Sequence, residues 1–426
     1  MLEINSANNI MKFLSFRVKK SHLLLVGILL VAANLRAPFT SLAPLLDAIR
    51  LDFSLSAVQA GLIQTLPLLA FALFSPLAGS IAVKYGIERV IFAALLLIAA
   101  GIGYRSYGGL IGVYGGTVLI GLGIAMGNVL LPSLLKRDFP QRVASMTGLY
   151  ALIMGVGAAL GSAAVVPLSQ VSALGWNGAL FATLLFPLLA AAIWFPQLSH
   201  GAARQARASG ASQPHSGGVW RAALAWQVTL FLGLNSLIYY VVVAWLPSIL
   251  RYQGFSAEQA GSLHGVLQLA TALPGLFTGH LLARMKDQRA IAVTVSLLAA
   301  AGLLGLLALP AFATLWVVLF GIGSGSTIIL GLAFIGLRSG SPAQAASLSG
   351  MAQCVGYLLA VGGPPGVGLL YDATHSWHGP LLICAALALV MALVGYLAGR
   401  DRCLASTENH AEAVPLNAGC LSDEKR

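Results

Sequence analysis

Asn34-Leu35-Arg36-Ala37-Pro38-Phe39-Thr40 lies inside the first long apolar run of the sequence, Leu23 to Leu46. An arginine at that depth has no water to solvate it. The cost runs from about 3 kcal/mol on insertion scales to more than about 10 kcal/mol for an isolated helix. Such a residue either faces a bundle interior or a wet path, or lets its long stem carry the charge to the surface. Two residues on, Pro38 has no N–H, so the carbonyl of Asn34 loses its i+4 partner and the helix can bend. Freed backbone is tolerated at membrane depth only where protein or a wet cavity re-satisfies it. A cation beside a helix break therefore predicts a polar ligand site inside a membrane bundle.

The rest of the chain fits that setting. Of 426 residues, 58% are hydrophobic and only 9% are charged, against about 25% charged in a soluble protein. Apolar runs of spanning length, roughly 20 residues each, recur from end to end. They predict an all-α membrane protein with twelve transmembrane helices at 22–46, 57–83, 88–105, 114–135, 142–168, 177–196, 224–250, 257–283, 290–310, 314–337, 344–370 and 379–399. The basic start followed by a long apolar stretch, with no small-residue cleavage site, reads as a retained first span. The organisation expected is a tail at 1–21, a six-helix half at 22–196, a linker at 197–223, a second half at 224–399 and a tail at 400–426. Ser, Gly, Ala and basic residues give the linker the composition of a flexible connector.

The formal net charge of +11 is topology rather than a nucleic-acid footprint. With the N-terminus inside, the basic residues fall almost entirely in the tails and loops of one side, beginning with Lys12, Arg17, Lys19 and Lys20 and ending with Arg400, Arg402, Lys425 and Arg426. That asymmetry puts both termini in the cytoplasm and leaves only Arg36, Arg50, Arg105 and Arg251 elsewhere. The four cysteines show neither zinc-site nor disulfide spacing, and no cofactor or metal is expected.

The two halves are copies. Ser56-Ala57-Val58-Gln59-Ala60-Gly61 matches Ser256-Ala257-Glu258-Gln259-Ala260-Gly261, and in the same frame Gly79, Lys84 and Arg89 match Gly279, Arg284 and Arg289. Farther on, Ala144-Ser145-Met146-Thr147-Gly148 answers Ala346-Ser347-Leu348-Ser349-Gly350. A single duplication of six spans makes two parallel halves with a ligand site between them at the midplane.

Two six-helix halves with a basic, glycine-flanked loop after the second span resemble the major facilitator superfamily. The superfamily's loop signature is visible in Gly79-Ser80-Ile81-Ala82-Val83-Lys84-Tyr85-Gly86-Ile87-Glu88-Arg89, with Val83 where an aspartate is usual and Glu88 the acid nearest to replace it. Gly79, Lys84, Gly86 and Arg89 are the implied cytoplasmic gate. Asn34-Leu35-Arg36, the run Leu66 to Leu73, Leu135-Lys136-Arg137-Asp138-Phe139-Pro140, Trp226 to Gly233 and Ser262-Leu263-His264-Gly265 resemble the branch of cyanate and 2-nitroimidazole porters, nearer its nitroimidazole side. The resemblance implies the major facilitator fold and a carrier, not an enzyme, in a bacterial inner membrane. A lone chain is expected to suffice for transport.

Helical spacing selects the candidate substrate-binding residues. Arg36 and Thr40 share a face at i, i+4, as do Asn235 and Tyr239 in the seventh span and Gln353 and Tyr357 in the eleventh. His264, Gln268 and Thr271 make a stripe in the eighth, with His264 at the duplication equivalent of Gln64. Asn128 of the fourth span completes the set. Each alone could be an interhelical hydrogen bond, worth less than about 2 kcal/mol. None of the thirteen acidic residues lies mid-span, so His264 is the deep side chain that titrates near neutral pH. Arg36 has no acid nearby: Asp47, eleven residues on, is about 16 Å along a helix. A permanently charged guanidinium with free donors suits a small planar anion or a nitro group. Export of 2-nitroimidazole-like compounds is the resulting expectation, with uptake of cyanate or a related anion as the alternative. Gly362-Gly363-Pro364-Pro365-Gly366 is expected to break the eleventh helix.

Overall fold

The structure, a computed structural model, describes residues 23–139, 142–171, 175–198, 219–278, 285, 287–340 and 342–404. The tail at 1–21, most of the linker at 197–223 and most of the tail at 400–426 lie outside them. Every regular element among the described residues is helical.

Among the described residues, eleven helices are long and apolar enough to cross a membrane: Leu23–Asp52, Ala57–Phe74, Ile87–Tyr107, Gly109–Leu135, Met146–Gln170, Gly175–Gln197, Ala223–Tyr252, Arg289–Ala308, Pro310–Leu337, Ser347–Thr374 and His378–Ala398. In chain order these are the first to seventh and ninth to twelfth spans. The end of the eighth, expected at 257–283, lies outside the described residues. Its α-helix, Ala257–Ala272, tightens into a 3-10 turn at Leu273–Leu276. Pro274 supplies the reason, because it cannot donate to the preceding turn.

The first span is broken where the sequence placed the break. A helix over 23–34 gives way to a turn at Leu35 and Arg36, a four-residue helix at Ala37–Thr40, a 3-10 turn at Ala43–Leu45 and a last helix at Leu46–Asp52. The N–H of Arg36 reaches back only to Ala33, three residues away, at 3.4 Å. The eleventh span corrects the expectation of a break. Its helix, Pro342–Thr374, runs unbroken through Pro364 and Pro365. The carbonyl of Pro364 instead accepts from the Trp245 indole at 2.9 Å, tying this part of the helix to the seventh span.

The duplication is carried into three dimensions. Ser56 and Gln59 form a capping box at the start of the second span, and Ser256 and Gln259 repeat it at the eighth. Each box satisfies helix-end N–H groups that have no intrahelical partner. The third span packs on the fourth and the second on the fourth, as the ninth packs on the tenth and the eighth on the tenth. Between halves, the second span packs against the eleventh and the fifth against the eighth. Those two seams frame the centre of the molecule.

Candidate functional site

At the centre, one continuous hydrogen-bonded circuit passes from the first half into the second and back. Arg36 Nη2 donates to the Tyr239 hydroxyl at 2.6 Å, and that hydroxyl donates to Gln268 Oε1 at 3.0 Å. Gln268 Nε2 lies 3.3 Å from His264 Nε2, and His264 Nδ1 lies 3.0 Å from the Ser162 hydroxyl. Ser162 donates to the backbone carbonyl of Thr40 at 3.3 Å, and the Thr40 hydroxyl returns to the carbonyl of Arg36 at 3.1 Å. Thr40, Ser162, Tyr239, His264 and Gln268 are buried; Arg36 alone is half-buried.

The helix break positions the arginine. With its turn pinched between Ala33 and Pro38, Arg36 leaves the first span where the fifth span crowds in, Gly161 packing against Ala37. A methyl at Gly157 would come within 2.9 Å of the Ala33 side chain, so this contact needs small residues. Among the described residues the Arg36 guanidinium makes no ion pair and no hydrogen bond other than that to Tyr239. Its remaining donors can meet an anion or a nitro group. Tyr240 and Tyr357 lie close enough to couple to it electrostatically. Tyr357 also packs edge-on against Phe71 of the second span, at 5.9 Å between ring centroids.

Of the residues expected from sequence, the circuit unites Arg36, Thr40, Tyr239, His264 and Gln268. Gln64 and Asn235 are buried but stand apart from it; neither amide atom of Gln64, nor Nδ2 of Asn235, has a hydrogen-bond partner among the described residues. Asn128 and Gln353 are exposed. Asn34 faces away, as its helical angle requires, and donates to Leu30 and Phe186 carbonyls. Two contributors escaped the sequence. Ser162 looked like a small packing residue in a glycine-rich helix. Arg105, near the end of the third span, is 1% exposed, and its Nη1 donates to the Pro38 carbonyl at 2.8 Å, bracing the break beside Arg36. Its Nε and Nη2 find no partner among the described residues.

The end of the bundle that carries Asp47 is sealed by contacts between halves. The carboxylate of Asp372, on the eleventh span, accepts from the N–H groups of Ala57 and Val58, both at 3.1 Å, so it caps the second span. Arg50 approaches Asp372 at 3.9 Å and Asp47 at 3.8 Å. Asp47 meets Ser248 at 3.0 Å and Arg251 at 3.6 Å. Beneath them a methyl at Gly61 would sit 2.7 Å from the Pro364 carbonyl oxygen. The cavity left at this end, about 530 Å³, is lined by Asp47, Arg50 and Arg251 with Leu55, Tyr371 and Trp377.

At the opposite end, Lys84 and Arg89 are exposed, and neither makes an ion pair among the described residues. Gly86 ends the second helix and starts the third at φ 91°, a conformation that favours glycine. Glu88 does not reach toward Lys84. It is buried, receives Arg137 Nη2 at 2.6 Å, and lends its carbonyl to the Trp194 indole at 3.0 Å. Arg137 also meets Asp138 at 2.9 Å.

The Major Facilitator Superfamily model matches residues 24–361. The chain is 56% identical to the 2-nitroimidazole transporter of Escherichia coli (strain K12) over 384 residues, 90% of this chain and 97% of that protein. It is 30% identical to the cyanate transport protein CynX of the same organism, over 79% of this chain and 87% of the relative. Among solved structures, the D-xylose–proton symporter superposes with a TM-score of 0.70 at 12% identity, covering 88% of this chain and 96% of that one. The sequence repeat, the paired halves and these likenesses agree: the chain belongs to the major facilitator superfamily of membrane transporters.

Proposed function

We propose that this transporter exports 2-nitroimidazole-like compounds, small planar heterocycles carrying a nitro or anionic group, by alternating access about Arg36. The observation that carries the reading is the Arg36 guanidinium held between halves, with donors to spare and no carboxylate paired with it among the described residues. A planar fork of donors matches the two oxygens of a nitro group as it does a carboxylate. The 2-nitroimidazole transporter's similarity along nearly its whole length supports the substrate class. In this reading the sealed Asp47 end faces outward and the Lys84 end is cytoplasmic, in accord with the positive-inside rule. Both termini are then cytoplasmic, the membrane is the bacterial inner membrane, and the monomer is the working unit. Gly79, Lys84, Gly86 and Arg89 would form the cytoplasmic gate.

Binding of 2-nitroimidazole to the purified protein, and counterflow in proteoliposomes, test the proposal. Arg36→Ala and Arg36→Met should each abolish both; intact binding in the two variants rules it out. The competing reading is uptake of cyanate, an anion that a bare guanidinium suits equally and for which CynX is the supporting relative. Labelled cyanate uptake, run beside the nitroimidazole assay, chooses between them. The reading also includes a proton route through His264, the titratable member of the circuit. His264→Gln should leave transport indifferent to an imposed pH gradient, and a retained response removes the histidine from coupling.

A further inference from the structure

The circuit at the centre has a sense of direction, and that sense is fixed at both ends. Arginine has only donors and a backbone carbonyl only accepts. Ser162 must therefore spend its proton on the Thr40 carbonyl, which leaves its oxygen to accept from His264 Nδ1–H. His264 Nε2 is then bare and accepts from the Gln268 amide N–H. The amide thereby turns Oε1 toward Tyr239, whose hydroxyl donates to it and keeps its lone pairs for Arg36. Every donor points the same way around, from Arg36 through the second half to the first span.

We infer that Ser162 is a positioning residue for transport: by holding His264 as the neutral Nδ1–H tautomer, it sets the amide of Gln268 and the hydroxyl of Tyr239, and so aims the Arg36 guanidinium. The inference rests on Arg36 being the substrate ligand. Ser162 itself touches no part of the site that a solute would meet; it is 0% exposed and acts through the imidazole. The alternative tautomer would place a proton on Nε2, opposite the Gln268 N–H. The amide would have to turn over and present its own donor to Tyr239, which already receives one from Arg36. Besides Ser162 of the fifth span and Gln268 of its own helix, the imidazole is faced by the carbonyl of Val243 on the seventh, a second group that can only accept. Ser162 is the side-chain partner within hydrogen-bonding distance of Nδ1.

The test uses the full chain in detergent with 15N-labelled histidine, the His264 signals being assigned by their loss in His264→Gln. Wild-type protein at neutral pH should show His264 as a neutral Nδ1–H imidazole. An Nε2–H or imidazolium pattern there overturns the inference without any substitution at Ser162. Ser162→Ala should reduce the Nδ1–H population and weaken 2-nitroimidazole binding by roughly three- to tenfold, the worth of one net hydrogen bond. Ser162→Thr, which restores the hydroxyl, should return both toward wild type. A space-filling role for Ser162 ranks the variants the other way, with Ala tolerated and Thr damaging, and that ranking overturns the inference. If Arg36→Ala abolishes binding while Ser162→Ala leaves binding and tautomer unchanged, the inference fails and the Arg36 site stands. If Arg36→Ala binds normally, the site reading itself fails.

Discussion

At the end of the bundle that carries Lys84 the two halves meet one requirement with different chemistry. In the first, Arg137 is neutralised by the buried carboxylate of Glu88 and by Asp138. In the second, Arg338 occupies the matching turn, 2% exposed, and Gln288 stands at the duplication equivalent of Glu88. There the guanidinium donates to the Gln288 amide and to the carbonyls of Ala398 at 3.0 Å and Gly399 at 3.1 Å, the C-terminal end of the last helix. One corner uses a counter-charge and the other uses a helix C-terminus, whose unpaired carbonyls carry partial negative charge. The corners kept the arginine and let its partner drift. At the centre the halves diverged in kind. Arg36 answers Ser236, Phe39 answers Tyr239 and Gln64 answers His264. The charge belongs to one copy and most of the polar circuit to the other, so neither half holds a complete site.

The comparison breaks most visibly at Glu88. Glu88→Leu strips the half-buried Arg137 of one of its two carboxylate partners and should cost about 2–3 kcal/mol, read as a fall in the thermal unfolding temperature in detergent. Glu88→Gln copies the second half and should cost only about 1–2 kcal/mol; an equal loss in both would deny that a neutral amide can serve this corner. Next comes the cap that crosses between halves. Asp372→Ala removes the acceptor of two N–H groups and should weaken the seal by about 1–2 kcal/mol. Alkylation of a cysteine placed at Leu55, in a background without native cysteines, should then speed up roughly five- to thirtyfold. An unchanged rate would show that the Gly61–Pro364 seam closes this end unaided. The smallest effect is expected at Gln64. Its amide is buried without partners, so Gln64→Leu should shift stability by less than about 1 kcal/mol and leave binding intact. A loss of transport in this variant would bring Gln64 back into the site.

Much of this was legible in advance because lipid makes demands that composition cannot disguise. Long apolar runs, a repeated Ser-x-x-Gln start and an arginine stranded before a proline each have a direct physical reading, and the structure carries eleven of the twelve expected spans, both capping boxes and the break at Arg36 among its described residues. The i, i+4, i+7 stripe of the eighth span was legible for the same reason, since polar groups aligned on one face of an apolar helix turn inward. Ser162 was not, because a hydroxyl among glycines and alanines reads as helix packing until its neighbours are known. Arg105 was passed over as a residue of the outer rim; nothing in its own helix shows that it is swallowed by the turn at Pro38. Nor could spacing tell Gln268, which joins the circuit, from Gln64, which does not. Depth and face were inferable, but the partner across the seam was not.

Gly61 offers a handle on the state not described here. Because its missing side chain is what lets the second span lie flat on the Pro364 carbonyl, a valine there would act as a wedge driven in at the Asp47 end. The carrier would be propped toward its opposite posture, that mouth ajar while the circuit around Arg36 is pulled apart. Such a jammed form is what a crystallographer or a label-exchange experiment needs to catch the second half of the transport cycle.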